Sequence, residues 1–439
     1  MRLRCLVVLG MRLSLAVGFV YPPTHGGAFG RYSPSEEMPG NVKDRAERAR
    51  YPINTFVSSQ ISSHEALRLQ EMSRNSPEGV FLDLTSCGWG LLSVSGEDRL
   101  RFLHNQLTNS FANAQVGDVI ESSYTSSVGR AIDLVTAYVL EDEVLLLSSP
   151  PRHEHVFESF HKYIFPLDRV QVHKKQLQGF FIYMGPEAAL AKLSNLLEHK
   201  VPPPQAHCCH ALPSGLVVAE GSGLALPGLT MLDVSGSSGV AAAVSSADIR
   251  LGGGKEWEAL RILQGRPFPD KELTLEVTPL EAGLWHTVDP EKGCYLGQET
   301  LAKQANNKGE RQRLFAVRGK GLEEKQRILD SAGGRSGVVT SCLSDEGRAG
   351  LAYIRKTVAH PTTASLFNEG GTEPLQVSDI PYATREATTK KQGSTVTQEI
   401  GQAAENTSAA DKAVEAERKA KKLEEMKKRL EEFQRKNKK

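Results

Sequence analysis

Hydrophobic positions recur at two spacings along the middle of this chain, and the switches between them mark its elements. Leu100, Leu103 and Leu107 share one helical face, with Ser95-Gly-Glu-Asp98 ahead of them as a capping box. Ile132 to Leu140 and Val144 to Leu147 read as a hairpin folding back over an acidic turn. Val156, Phe160 and Ile164 predict a helix stopped by Pro166. Phe180–Met184 reads as a strand leading through Gly185-Pro186 into a helix with Ala189, Leu190, Leu193 and Leu197. Leu216–Ala219 and Leu229–Val234 read as strands, and Trp257, Leu260 and Leu263 as a helix ended by Gly265-Arg-Pro. From Arg313 onward, Leu314–Val317, Gly337–Thr340 and Gly350–Ile354 alternate with Gly-rich turns, the pattern of a small all-β unit. Strands and helices interleave irregularly and include hairpins, so the fold class is α+β rather than a doubly wound sheet.

The two ends follow other patterns. Residues 1–35 hold two short apolar runs, Cys5–Leu9 and Leu13–Val20, split by Arg12, and no acidic residue. This reads as a targeting presequence, of signal or transit type, and neither run is long enough to span a membrane. Residues 36–76 form a polar linker running into a short helix. Residues 386–410, rich in Thr, Gln, Ser, Ala and Gly, read as a flexible linker. In 411–439, Ala416, Ala420, Leu423, Met426, Leu430 and Phe433 make one apolar stripe among Lys, Arg and Glu. That charged amphipathic helix is either a solvated single helix or one that docks a partner or self-associates.

Charge and composition narrow the function classes. The net charge of +1 over 439 residues is unevenly spread, with both ends basic and the body between them mildly acidic. An acidic body speaks against direct nucleic acid binding, which needs clustered Lys and Arg. No uninterrupted apolar stretch is long enough to cross a membrane, so no span is expected in the mature chain. Six cysteines in a chain this long do not make a disulfide scaffold. No Gly-x-Gly-x-x-Gly follows a strand, no Walker loop exists, and there is neither a Cys-x-x-Cys pair nor a His-Glu-x-x-His motif. His207-Cys208-Cys209-His210 is read as an exposed loop, because adjacent cysteines point to opposite sides of an extended chain and chelate one ion poorly. No metal site is expected.

The segment Lys292-Gly293-Cys294-Tyr295-Leu296-Gly297-Gln298-Glu299 carries the most chemistry. Two glycines permit a tight bend with a thiol between them. A cation at Lys292 favours the thiolate of Cys294, and Gln298 and Glu299 offer an amide and a carboxylate to a heterocycle's edge. On residues alone, a Gly-Cys turn of this kind also fits inert packing.

The pattern Lys-Gly-Cys-Tyr-x-Gly-Gln-Glu resembles the signature of the YgfZ/GcvT family of folate-binding proteins. Gly96–Gln106, Glu258–Pro267 and Pro279–Trp285 resemble further blocks of that family in the same order, over about residues 80–383. Gln298-Glu-Thr300, Lys162-Tyr-Ile-Phe165 and Ile380-Pro-Tyr382 resemble the branch found in cyanobacteria and plant plastids. The resemblance implies two mixed α/β lobes over 77–312 and a C-terminal β-barrel over 313–385, around a cavity for tetrahydrofolate or a one-carbon derivative. It implies functional roles for Lys292 and Cys294, and it sets Asp133, of Gly-Arg-Ala-Ile-Asp, near a folate-contacting aspartate. Arg261 and Glu281 fall in the central blocks and are, with Asp133, Gln298 and Glu299, the candidate cofactor-binding residues; alternatively, Asp133 is a turn residue, Arg261 lies on a solvated face, Glu281 caps local backbone and Trp285 is core. Aminomethyltransferases of the superfamily have Arg-x-Glu-Ala-Gly where this chain has Arg261-Ile-Leu-Gln-Gly, so Leu263 stands in place of a carboxylate.

Three functions follow from the resemblance. The first is a tetrahydrofolate-dependent accessory protein for assembly or repair of iron–sulfur clusters, partnering client enzymes or assembly factors, with Cys294 as the working thiol. The second is a one-carbon transferase with Asp133 as general base. The third is a non-catalytic scaffold acting through 411–439. The expected location is the plastid stroma, with the mitochondrial matrix as alternative.

Overall fold

The computed structural model describes residues 61–76, 79–185, 208–236, 238–240, 242–243, 250–307, 309–343 and 348–385. The chain divides into two compact units, Met1–Thr388 and Thr389–Lys439, and every described residue belongs to the first. The presequence, both linkers beyond the described residues, the helix at 189–197 and the helix at 411–439 lie outside them.

In chain order the described elements begin with α1 (Ser63–Asn75), β1 (Val80–Asp83), β2 (Gly90–Ser95), α2 (Arg99–Gln106), β3 (Val119–Thr125), β4 (Ala131–Val139) and β5 (Glu143–Ser148). Then come α3 (His153–Lys162), β6 (Gln171–Lys175), β7 (Gly179–Met184), β8 (Cys209–Ala211), β9 (Leu216–Glu220), β10 (Gly228–Asp233), β11 (Arg250–Gly252) and α4 (Gly254–Gln264). After α5 (Gln298–Asn307) the chain is all-β: β12 (Gln312–Arg318), β13 (Arg327–Asp330), β14 (Arg335–Cys342), β15 (Ala349–Arg355), β16 (Leu366–Asn368) and β17 (Gln376–Ser378).

These strands make three sheets, of order β3-β4-β5-β2-β6, β11-β1-β7-β10-β9-β8 and β16-β13-β14-β15-β12-β17. β1 pairs with β7 and β11, so the first sheet is built from chain inserted between two neighbouring strands of the second. The third sheet curls: its edge strands β16 and β17 are brought together by a bridge between Leu366 and Leu375. The fold is α+β with two mixed lobes and a barrel-like C-terminal sheet, as the apolar pattern and the resemblance lead one to expect.

Two elements set the site. All nine residues of β4 are buried, because both faces of that strand are covered. Val135, Ala137 and Val139 point into the first lobe's own core, while Leu134 and Tyr138 point the other way, toward the junction of the lobes. α4 is the second. Trp257 and Leu260 face the core shared by the first two sheets, while Ala259 and Ile262 face the core shared with the third. With both faces of its later turns buried, the charged residues there, Glu258 and Arg261, pair with each other.

Local differences from the sequence reading have local causes. Asp98 makes no side-chain cap to α2; its carboxylate accepts the Arg169 N–H at 2.9 Å instead. The Cys208–His210 stretch is no loop, since Cys209 opens β8 with its side chain buried while His210 is exposed. Among the described residues no cluster of His, Cys, Asp and Glu could hold a metal ion.

Candidate functional site

The thiol-bearing loop sits between α2 and α5. Cys294 is exposed, and its neighbours Lys292, Tyr295 and Leu296 are buried. The Lys292 ammonium donates to the carbonyls of His104 (2.5 Å), Leu107 (2.5 Å) and Asn109 (2.8 Å). These acceptors lie at and just past the C-terminus of α2, where carbonyls lose their intrahelical partners. α2 ends in extended Leu107 with no left-handed glycine, so a distant cation does the capping. Burial pushes the Lys292 pKa down to about 7, with Asp289 pulling the other way. Three short carbonyl contacts favour the ammonium form, and it also lies 4.6 Å from the Tyr295 ring centroid. The cation that the sequence sets beside the thiol is thus taken up by the backbone, and all three of its donors are used.

Glycine has two different roles in this loop. Gly297 has φ +85°, and a Cβ there would lie 2.7 Å from both the Gly129 Cα and the Ser126 carbonyl. The loop therefore docks, glycine to glycine, on the turn that precedes Asp133. Thr125 adds a bond from its hydroxyl to the Leu296 carbonyl at 2.8 Å. Gly293 needs no such freedom: nothing lies within 4 Å of its Cβ position. The Gln298 amide donates to the Lys292 carbonyl at 3.2 Å and closes the loop on itself. Glu299 is exposed on α5 and pairs with Lys303 at 2.6 Å, one turn along. Beside Tyr295 lies a narrow apolar cleft formed by Leu280, Trp285, Val288 and Leu301; Trp285 is half-buried there.

The other expected cofactor-binding residues are dispersed. Asp133 is fully buried, its carboxylate accepting the N–H of Leu134 (2.8 Å) and of Ser149 (3.0 Å). Burial raises its pKa to about 6 against the pull of those bonds and of Arg152. Arg261 is neither solvated nor turned to a ligand. It is wholly buried, bonded to Glu258, to Glu272 at 3.0 Å and to the Ser341 hydroxyl at 3.0 Å, which ties α4 to β14. Glu281 is buried and accepts the N–H groups of Thr278 (3.0 Å) and Arg311 (3.1 Å), a backbone-holding role.

The structure assembles a polar cluster that the sequence does not advertise. Glu121 of β3 accepts hydrogen bonds from Arg266 (3.3 Å) and Tyr382 (2.8 Å), and its other oxygen lies 3.3 Å from His286 Nε2. Arg266 also donates to Tyr382 (2.7 Å) and to the Gly223 carbonyl (2.9 Å). The four side chains come from the first sheet, the end of α4, the stretch before the thiol loop and the segment after β17, and Gly223 belongs to the second lobe. Burial pushes the Glu121 carboxyl up, but His286, Arg266 and Tyr382 overcome it and hold the pKa at about 2. Burial opposes the Arg266 charge, which Tyr382, Glu121 and Asp133 favour, so Asp133 lies within electrostatic reach of the cluster. The Glu121 side chain keeps 26% exposure, so the cluster opens on one side. No spacing rule joins these positions. The one local signal is a charge in an otherwise buried block, Glu121 in β3 and Arg266 directly after Gly265.

Comparison with known proteins fixes the lineage. Over 319 residues the chain is 32% identical to a chloroplastic putative transferase of Arabidopsis thaliana, covering 70% of this chain and 72% of that protein. The chain belongs to the family of that putative transferase. This family member is also 25% identical over 368 residues to an aminomethyltransferase of Corynebacterium jeikeium, covering 75% of this chain and 92% of that one. Its fold matches the glycine cleavage system aminomethyltransferase T of Bartonella henselae with TM-score 0.64 at 17% identity, over 73% of this chain and 90% of that chain. No family model matches the sequence.

Proposed function

We propose that this chain binds a reduced folate where the lobes meet, beside the Glu121–Arg266–His286–Tyr382 cluster, and serves iron–sulfur enzymes as a tetrahydrofolate-dependent accessory factor, of the YgfZ branch, in the plastid stroma. The observation that carries this reading is the exposure of Cys294 on a loop fixed from both sides, by Lys292 on α2 and by Gly297 on the Gly129 turn. A thiol displayed in that way meets a partner enzyme without rearrangement of the loop. Lys292 acts as a positioning residue for it. The folate supplies one-carbon chemistry when bound, and the cluster offers fixed donors and acceptors to a polar ring.

Complementation tests the thiol. Cells depleted of this protein and supplied with Cys294→Ala should show iron–sulfur enzyme activities at the depleted level, although the variant accumulates and melts like wild type. Full rescue by that variant would end the accessory reading.

One observation favours a second reading, one-carbon transfer. Asp133, with its pKa raised to about 6, is suited to hold and release a proton near neutrality. Release of formaldehyde or ammonia equivalents from an aminomethyl donor, dependent on tetrahydrofolate and lost in Asp133→Asn, would support it.

A further inference from the structure

Just past α2, Leu107, Thr108 and Asn109 lie outside any helix or strand, yet every main-chain group of theirs is bonded. The Leu107 N–H donates to the Leu103 carbonyl at 3.0 Å, and the Leu107 carbonyl accepts from Lys292. The Thr108 N–H donates to the Ser123 carbonyl at 3.1 Å, and its carbonyl accepts the Asp289 N–H at 3.0 Å. The Asn109 N–H donates to the Ser122 hydroxyl at 2.8 Å, and its carbonyl accepts from Lys292 at 2.8 Å. β3 thus fastens the segment from one side and the thiol-bearing stretch from the other. The side chains repeat this arrangement. The Thr108 hydroxyl donates to the Thr287 carbonyl at 2.7 Å and accepts the Ser123 N–H at 3.0 Å. The Asn109 amide nitrogen donates to the carbonyls of Glu121 (2.8 Å) and His286 (3.3 Å), two residues whose side chains meet in the polar cluster. Thr108, Ser122, Ser123 and Thr287 are completely buried and Asn109 is 7% exposed. A buried polar group that loses its partner bears the full cost of its desolvation, so a shift on one side of the segment is unfavourable unless the other side follows.

We propose that Asn109 is a positioning residue that ties the Cys294 loop to the polar cluster, so that what occupies the cluster regulates how firmly the thiol is held. This rests on the accessory reading above and adds its regulation. The Asn109 amide bonds the main chain of Glu121 and His286, and its carbonyl holds Lys292, two residues before Cys294. A ligand that draws Glu121 and His286 together stiffens the segment and with it the Lys292 anchor; a disrupted cluster loosens both. Linkage makes the effect reciprocal: a partner that engages the thiol loop changes the cluster's affinity for its ligand by the same factor.

A double-mutant cycle on the full chain, read by hydrogen exchange of the main chain over residues 292–297, tests the link. Glu121→Ala removes the carboxylate that gathers Arg266, Tyr382 and His286. It should speed exchange of the loop at least about fivefold. With Asn109→Ala already in place, the same substitution should change that exchange by less than about twofold, a non-additivity that a merely structural Asn109 does not produce. Should Asn109→Ala not fold, Asn109→Ser carries the same comparison. Equal factors in the two backgrounds, or a loop that Glu121→Ala leaves unchanged, would overturn the proposal. Calorimetric titration with 5-formyltetrahydrofolate, followed by exchange on the same samples, separates it from the folate reading. Bound folate should slow exchange of the loop in wild type and not in Asn109→Ala. Folate that binds without slowing the loop overturns the link and leaves the folate reading standing. A chain that binds no folate but passes the mutant cycle ends the folate reading and keeps the link.

Discussion

Gly297 and Gly293 look equivalent in the sequence, and the structure separates them. Gly297 combines a left-handed backbone with a near-contact on Gly129, so Gly297→Ala faces both backbone strain and steric overlap. We expect a loss of about 2–5 kcal/mol by urea denaturation, together with weaker protection of Cys294's neighbours in hydrogen exchange. Gly293→Ala has open space and should stay within about 0.5 kcal/mol of wild type. A penalty at Gly293 as large as at Gly297 would contradict this geometry. At the same scale, Lys292→Met strips the end of α2 of its cation and leaves three carbonyls short of a donor. That should cost about 1–3 kcal/mol, with the lost protection concentrated at residues 103–109.

At the scale of elements, α4 holds the molecule together. Its aromatic face binds the first two sheets, and Arg261 reaches the third through Glu272 and Ser341. Arg261→Met would leave the buried carboxylates of Glu258 and Glu272 without their cation. Breaking a buried ion pair on one side costs about 3–5 kcal/mol, so the variant should melt well below wild type and lose cooperativity between lobes and barrel. Replacing Arg261, Glu258 and Glu272 together by apolar residues should recover much of that loss, because the uncompensated charges vanish with the cation. A single Arg261 variant as stable as wild type would show that the triad carries no weight in joining helix and barrel. Recognition of α4 from sequence was straightforward, since Trp257, Leu260 and Leu263 keep helical spacing and Gly265 ends the run with φ +79°. The spacing does not show that a charged side chain on that helix, Arg261, is completely buried.

At the scale of the whole molecule, acid should loosen the lobes through Glu121. Its folded pKa of about 2 lies below the ordinary value of 4.5, so its contribution is complete above that value and disappears as pH falls toward 2. Asp133 has the opposite sign: its pKa rises from 3.8 to about 6, so its burial counts against stability progressively as pH climbs through 6. Urea titrations from pH 2 to 8 should show Glu121→Gln with a flatter acid limb than wild type, and an unchanged limb would remove Glu121 from the account. The sequence alone determined the class of fold, the hairpin of β4 and β5, the helix at α4 and the all-β C-terminal unit, because each depends on apolar period or on residues adjacent in the chain. Tertiary structure alone decided that Lys292 caps a helix from nearly two hundred residues away, that Arg261 is a buried tie, and that Glu121, Arg266, His286 and Tyr382 meet. These depend on which faces pack together, and a charge's partners across three sheets leave no period in the sequence that could reveal them.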